Sequence, residues 1–409
     1  MLKLLRAWNQ DAKSRPDDRF VSVCDGIRVL SIFMVVWFHI WQQSWLYPYL
    51  EIFGLRLNLD PLVRSGYIHV DTMILISGFC LFLPYARAEG RLQNPLTFYK
   101  KRLVRIAPSY YLTILIMTIV AVATNAYQYP PPTFAEDLIS HLTFTQMFRI
   151  QTYYYTHMNA ALWTIALEMQ LYLLFPLLAL GMKKFPLPTF LLGVAAGNFY
   201  RGMLLERGGD LTMYFNQLPA YIDVFVIGMM TAWLYEKTCH WPHNAFTRIL
   251  CSVGTIAAVA VIVFICQDQS SMGISGRLQE GQVIHRIYMA MAGAALLLFA
   301  GNAGWCVRHV LGNPVLHFIS GITMHIYIWN QAMAVWILKL RIVPSAFKDP
   351  NYEGDHLWQV RYTWLCFAVV FVMAVILTYG FEKPVARFLL RKRETSKRKM
   401  GEEDQGERH

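Results

Sequence analysis

Between Ile27 and the end of the 370s, polar positions only briefly interrupt a nearly continuous apolar pattern. About 20 apolar residues carry a helix across the hydrocarbon core. Runs of that order recur at 27–46, 66–85, 107–125, 161–181, 187–203, 217–235, 249–266, 283–301, 315–338 and 360–381. This predicts an all-α fold, a polytopic bundle of about ten transmembrane helices. It comprises an N-terminal segment over 1–26, a membrane domain over 27–385 and a basic, unstructured tail over 386–409. The fifth and eighth runs are the weakest, being Gly-rich and broken by polar residues. The segment 126–160 is the longest loop on the side opposite the N-terminus. No internal repeat is visible. The first 20 residues lack an uninterrupted apolar core followed by a small-residue cleavage site, so the first helix is expected to act as the targeting signal.

Composition agrees with the pattern. Of 409 residues 56% are hydrophobic and 15% charged, where soluble chains carry about a quarter charged residues. The net charge of +11 would suit nucleic acid, but its placement argues for topology instead. Of the 37 basic residues, 25 fall in the segments 1–26, 86–106, 182–186, 236–248, 302–314 and 382–409. These alternate segments share one face, and the excess of Lys and Arg marks that face as cytoplasmic. Both termini are thus expected inside, with membrane lipids as partners and no nucleic acid. The seven cysteines include no CxxC pair and read as packing residues, with neither a disulfide framework nor a metal site.

Ionisable side chains within such runs are costly and usually face an internal cavity, which makes them candidates for chemistry. Arg28 opens the first run and His39 follows eleven residues later, about 16 Å along the same helix face. That separation matches an extended pantetheine arm. Arg28 suits a pyrophosphate, and His39 suits a base that takes a proton from an attacking hydroxyl. Snorkelling of Arg28 and a packed His39 fit the position equally well. In the second run Asp71 is placed to orient an imidazole or simply to cap a helix start, with His69 beside it. Ser77 and Gly78 read as packing residues, without a GxSxG elbow around them. Glu168, seven residues into the fourth run, falls at nearly the depth of His39. Lys100, Lys101, Arg102 and Arg105 form a cytoplasmic basic cluster that suits either phosphates or lipid headgroups. His325, Tyr327 and Asn330 are the polar residues of the ninth run.

In order along the chain, these segments resemble the acyltransferase-3 family of membrane-bound acyltransferases. Arg28 and His39 match its Arg-x10-His pattern, and HVDTMILISGF, with Asp71, looks like its second-helix signature. KKRLVRIAPSYY is similar to RRxxRIxPxY through Arg102, Arg105, Pro108 and Tyr110. LWTIALEMQLYLLFP resembles LWSLxxExxFYLxxP through Glu168 and Tyr172, and FEKPVARF resembles the closing ExP element at Glu382 and Pro384. The likeness spans residues 22–390. The ninth helix departs from it. MHIYIWN stands where many members read YSxYLWH, with Asn330 at the histidine position and His325 five residues earlier, about 140° round the helix.

The resemblance implies an O-acyltransferase that takes an acyl group, commonly acetyl, from cytoplasmic acyl-CoA. The acceptor it implies is a hydroxyl on an envelope glycan or a related molecule, often across the membrane. Acyl-CoA is then the donor substrate, no metal is expected, and the protein sits in a bacterial cytoplasmic membrane or its equivalent. Arg28, Arg102, Arg105 and Lys101 are assigned to the CoA phosphates. His39 is assigned as base or acyl carrier, and Asp71 or Glu168 as the group that orients it or the acceptor. The alternative is a transporter or flippase of an envelope precursor, in which His39, Asp71 and Glu168 relay protons.

Overall fold

Each of the ten apolar runs carries one long helix. The computed structural model describes residues 21–88, 94–129, 131–239 and 244–389, so most of the predicted N-terminal segment and tail lie outside the described residues. Within them the helices of 17 or more residues are α1 (Val23–Ser44), α2 (His69–Arg87), α3 (Pro95–Ala123), α4 (Trp163–Lys184) and α5 (Pro186–Arg207). They continue with α6 (Ile222–Thr238), α7 (Ala245–Ile274), α8 (Leu278–Asn302), α9 (Thr323–Lys339) and α10 (His356–Leu377). Seven of them, α1–α4, α7, α8 and α10, are long and apolar enough to cross a membrane. The chain is an integral membrane protein. Of the other three, α6 and α9 have 17 residues each, and α5 carries Asn198, Arg201, Glu206 and Arg207.

Burial separates centre from rim. Of the most apolar stretch of α2, 78% is buried, against 22% for α7 and α10, so α2 is central and the other two are peripheral. The helix α6 packs closely against α2. A Cβ on Gly78 would strike the Phe225 carbonyl, and one on Gly228 would strike the Leu75 carbonyl. Paired glycines let two backbones touch, as small residues do where helices meet in lipid. With α6 buried around most of its circumference, neighbouring helices set its length rather than the bilayer.

Three departures from the pattern bear on function. The ninth run is not one helix. It forms a short helix Pro314–Ser320, breaks at Gly321–Ile322, and resumes as α9. The eighth run, weak by sequence, is an unbroken 25-residue helix, because its glycines are packing notches. A Cβ on Gly301 would strike the Tyr235 ring. The all-α class has one exception, an antiparallel hairpin of β1 (Tyr49–Ile52) and β2 (Leu55–Asn58). Phe53 and Gly54 at its tip both have positive φ, 50° and 79°, the geometry a two-residue hairpin turn requires.

The long loop 126–160 is a built structure. Thr133 and Glu136 close a capping box on the helix Phe134–Leu142. Asp137 accepts from Tyr127 Oη (2.7 Å), Thr156 Oγ1 (3.0 Å) and the His157 amide (2.9 Å). Burial alone would raise the Asp137 carboxyl, but its contacts with His141, Tyr127 and His157 hold it below the usual range. Tyr110 of α3 donates to the His141 carbonyl at 2.7 Å and ties the loop to the bundle.

Candidate active site

The helices α1 and α9 lie side by side, and their polar groups meet at two levels. At the upper level His39 Nδ1 is 2.6 Å from Asn330 Oδ1. The Asn330 amide has no freedom to turn, because its Nδ2 donates to the carbonyls of Ile326 (3.2 Å) and Tyr327 (2.5 Å). Its oxygen therefore faces His39, which assigns the hydrogen to Nδ1 and leaves Nε2 as the lone-pair nitrogen. The side chain hydrogen-bonded to His39 is thus Asn330, and neither Asp71 nor Glu168.

A cavity of about 220 Å³ opens on His39, lined also by Val35, Tyr67, Asp71, Trp163, Gln282 and Arg286 among others. Asp71 shares this wall but is paired with Arg286, whose Nε donates to Oδ1 at 3.2 Å with both side chains buried. Arg286 also donates to the Phe215 carbonyl (2.7 Å) and to Tyr221 Oη (3.1 Å), and its guanidinium lies 4.0 Å above the Tyr221 ring. Behind it the fully buried Arg201–Asp223 pair (2.6 Å) shares the Ala220 carbonyl with Arg286. Sequence reasoning missed Arg286 and Arg201. Their signal was present as polar residues in the two weakest runs, where it counted against a helix instead of for a site.

The second level lies at the other end of α1. Arg28 donates to Ser320 Oγ (3.2 Å) and to Cys80 Sγ (3.5 Å), and lies 3.7 Å from Asp25. Asp25 in turn accepts from Ser320 (2.6 Å) and is 2.7 Å from His317 Nδ1. The break before α9 serves this contact, since it lets His317 and Ser320 reach Asp25. Glu168 accepts from Ser77 Oγ (3.2 Å) and from the Tyr172 hydroxyl. Arg102 lies over the rings of Phe98 and Tyr172, at 5.5 and 5.7 Å, and its Nε is buried without a partner among the described residues. Electrostatic contact links Arg28 with Glu168, Arg105 with Cys80, and both Arg102 and Arg105 with Tyr172. Lys101 and Arg105 are exposed.

Two groups emerge. Arg28, Arg102, Arg105 and Glu168 converge at one level, while His39 and Asp71 line the cavity at the other. None of the first four lines that cavity. Depth arithmetic put Glu168 level with His39. Instead it is Trp163, where α4 begins, that lines the cavity, and Glu168 lies about 7.5 Å further along the helix. His325 belongs to neither group. It is fully buried, with Nε2 3.1 Å from Ser109 Oγ and 3.3 Å from Glu382 Oε2. A π-helical turn at Thr378–Glu382 carries that carboxylate.

The family comparison bears directly on this arrangement. An acyltransferase domain model, that of acyltransferase 3, matches residues 23–383, from the start of α1 to just past the π-helical turn. This chain belongs to the acyltransferase-3 family. Similar members include two Staphylococcus aureus proteins, named "Putative O-acetyltransferase SACOL0978" (strain COL) and "Putative O-acetyltransferase SAS0844" (strain MSSA476). Each is 19% identical over 346 residues, which cover 78% of this chain and 51% of the relative. The chain therefore spans about half the length of the curated relatives it matches. No solved structure matches it significantly. Every element that carries His39, Asp71, Glu168 and the arginines falls within the family's domain.

Proposed function

We propose that this chain is an O-acyltransferase that moves an acyl group, in the first instance acetyl, from cytoplasmic acyl-CoA to a hydroxyl of an envelope glycan. One observation carries the reading: His39 lines a cavity and is held in one tautomer, with Nε2 as the lone-pair nitrogen, by an amide that is itself locked to backbone. Such a nitrogen is a general base. It takes the acceptor's O–H proton while that oxygen attacks the thioester carbonyl. The C–S bond then breaks, and the CoA thiolate leaves with the proton from His39.

The arginine level suits the other end of the donor. Arg28, Arg102 and Arg105, with Lys101 at the surface, supply planar donors and positive charge for the phosphates. The unpartnered Nε of Arg102 is the kind of open donor a phosphate oxygen takes. Glu168, at the arginine level, is a natural acceptor for the nearer pantetheine amide. Asp71 acts through Arg286, which braces the Phe215–Tyr221 segment of the cavity wall. In this reading the ten helices all cross, both termini are cytoplasmic, and the cavity opens outward. The apolar layer on the α1 face between the levels, with the buried Val35 on it, parts to admit the arm.

Proton relay for transport receives less support. The neighbour on His39 Nδ1 is an amide, which does not carry protons onward. The test is His39→Ala in membranes containing normal amounts of protein. Acyl transfer from labelled acetyl-CoA is expected to fall by about 10²–10⁴-fold, the usual worth of a positioned base. Wild-type activity in this variant removes His39 from the chemistry.

A further inference from the structure

A hydrogen-bonded chain unused by the mechanism above ends on the wall of the same cavity. Its far end is Asp268, whose carboxylate is 2.8 Å from His285 Nε2. The other ring nitrogen, Nδ1, is 2.6 Å from Gln269 Oε1. The Gln269 amide is fixed in that sense, because its Nε2 donates to the Leu278 backbone carbonyl at 3.2 Å. Both nitrogens of His285 thus face acceptor oxygens. The same Gln269 Nε2 donates to Tyr67 Oη at 2.6 Å.

At Tyr67 the chain reaches the cavity. The phenol oxygen accepts from Gln269 and also meets the side chain of Gln282, another residue of the cavity wall. Tyr67 lines the cavity with His39, and Phe38 bridges the two, its ring centroid 5.0 Å from that of Tyr67 and 5.5 Å from that of His39. A reacting carbonyl held in this cavity of about 220 Å³ beside His39 shares it with the Tyr67 side chain.

We propose that Tyr67 donates the hydrogen bond that stabilises the oxyanion of the tetrahedral intermediate. The inference rests on the acyl-transfer reading. When the acceptor oxygen forms its bond to the thioester carbon, the carbonyl π pair moves to the carbonyl oxygen, and the Tyr67 O–H donates to it. When the C–S bond breaks, that pair returns to the carbonyl and Tyr67 keeps its proton throughout. His285 and Gln269 are positioning residues, polarising the phenol through consecutive donors that strengthen one another. Tyr67 belongs to none of the motifs that carry the family resemblance.

The experiment uses the full-length protein in nanodiscs and follows CoA thiol release from acetyl-CoA, with methyl glucoside added and water as the default acceptor. Both acceptors pass through the same oxyanion. Tyr67→Phe is expected to lower kcat about 10²–10³-fold, the cost of deleting one oxyanion donor, with KM for acetyl-CoA unchanged. Fluorotyrosines at position 67 keep the hydroxyl and the ring, and kcat is expected to track phenol acidity, which a merely structural tyrosine would not produce. Wild-type kcat in Tyr67→Phe overturns the proposal. If that variant misfolds, a kcat indifferent to fluorination overturns it. A folded wild type that releases no CoA removes the acyl-transfer reading and this inference with it. Normal turnover with an indifferent Tyr67 removes this inference alone.

Discussion

The His39–Asn330 pair holds one tautomer because turning the amide would cost three contacts at once. Its Nδ2 hydrogens would face the His39 N–H, and its oxygen would face the carbonyls of Ile326 and Tyr327. Asn330→Ala is therefore expected to cut kcat by roughly 100-fold, at the lower end of a base's worth, with little change in KM for the donor. Asn330→Asp keeps an acceptor on Nδ1 and is expected to recover part of the loss; steady-state kinetics on the two variants check the assignment. Arg28 belongs to the other step. Charge-assisted hydrogen bonds contribute about 1.5–3 kcal/mol each, so Arg28→Ala is expected to raise KM for acyl-CoA about 10–100-fold. An unchanged KM would assign Arg28 to Asp25 and Ser320 alone. The Arg28–His39 spacing was legible in sequence because both lie on one helix face. The partner of His39 was not. Asn330 is 291 residues away, and asparagine in an apolar run gives no sign of which histidine it meets.

Helices α2 and α6 show how a glycine sets an interface. Gly228→Leu would drive its side chain into the Leu75 carbonyl, and overpacking of this kind costs about 1–3 kcal/mol or more. The variant is expected to lose thermal stability in detergent. Gly202→Ala, on α5 with open space around it, is expected to leave the melting temperature unchanged. A Gly228→Leu protein as stable as the wild type would separate the two helices. The apolar runs were readable because burial in lipid demands them. The break at Gly321–Ile322 was not readable, since isolated Ser, Gly and Thr residues also occur inside unbroken membrane helices. What selects the break is the pull of Asp25 on His317 and Ser320, a contact between distant parts of the chain.

Across the molecule, the proposed function divides between two polar levels some 16 Å apart on α1. The proposed orientation puts the arginine level inside and the cavity outside. Cysteine accessibility tests it in a cysteine-free background. Phe53→Cys at the hairpin tip is expected to react with an impermeant maleimide in intact cells, and Lys184→Cys at the end of α4 only after permeabilisation. The reverse pattern would turn the donor's entry to the opposite side. The membrane class, the ten helical segments and the family were written into local composition and short motifs, because a helix in lipid is fixed by its own 20 residues and its own hydrogen bonds. Pairing between helices had to come from the packed bundle. A buried charge or amide is stable only with a partner, and that partner, whether Asn330 for His39, Arg286 for Asp71 or Ser77 for Glu168, is fixed by which helix faces lie together.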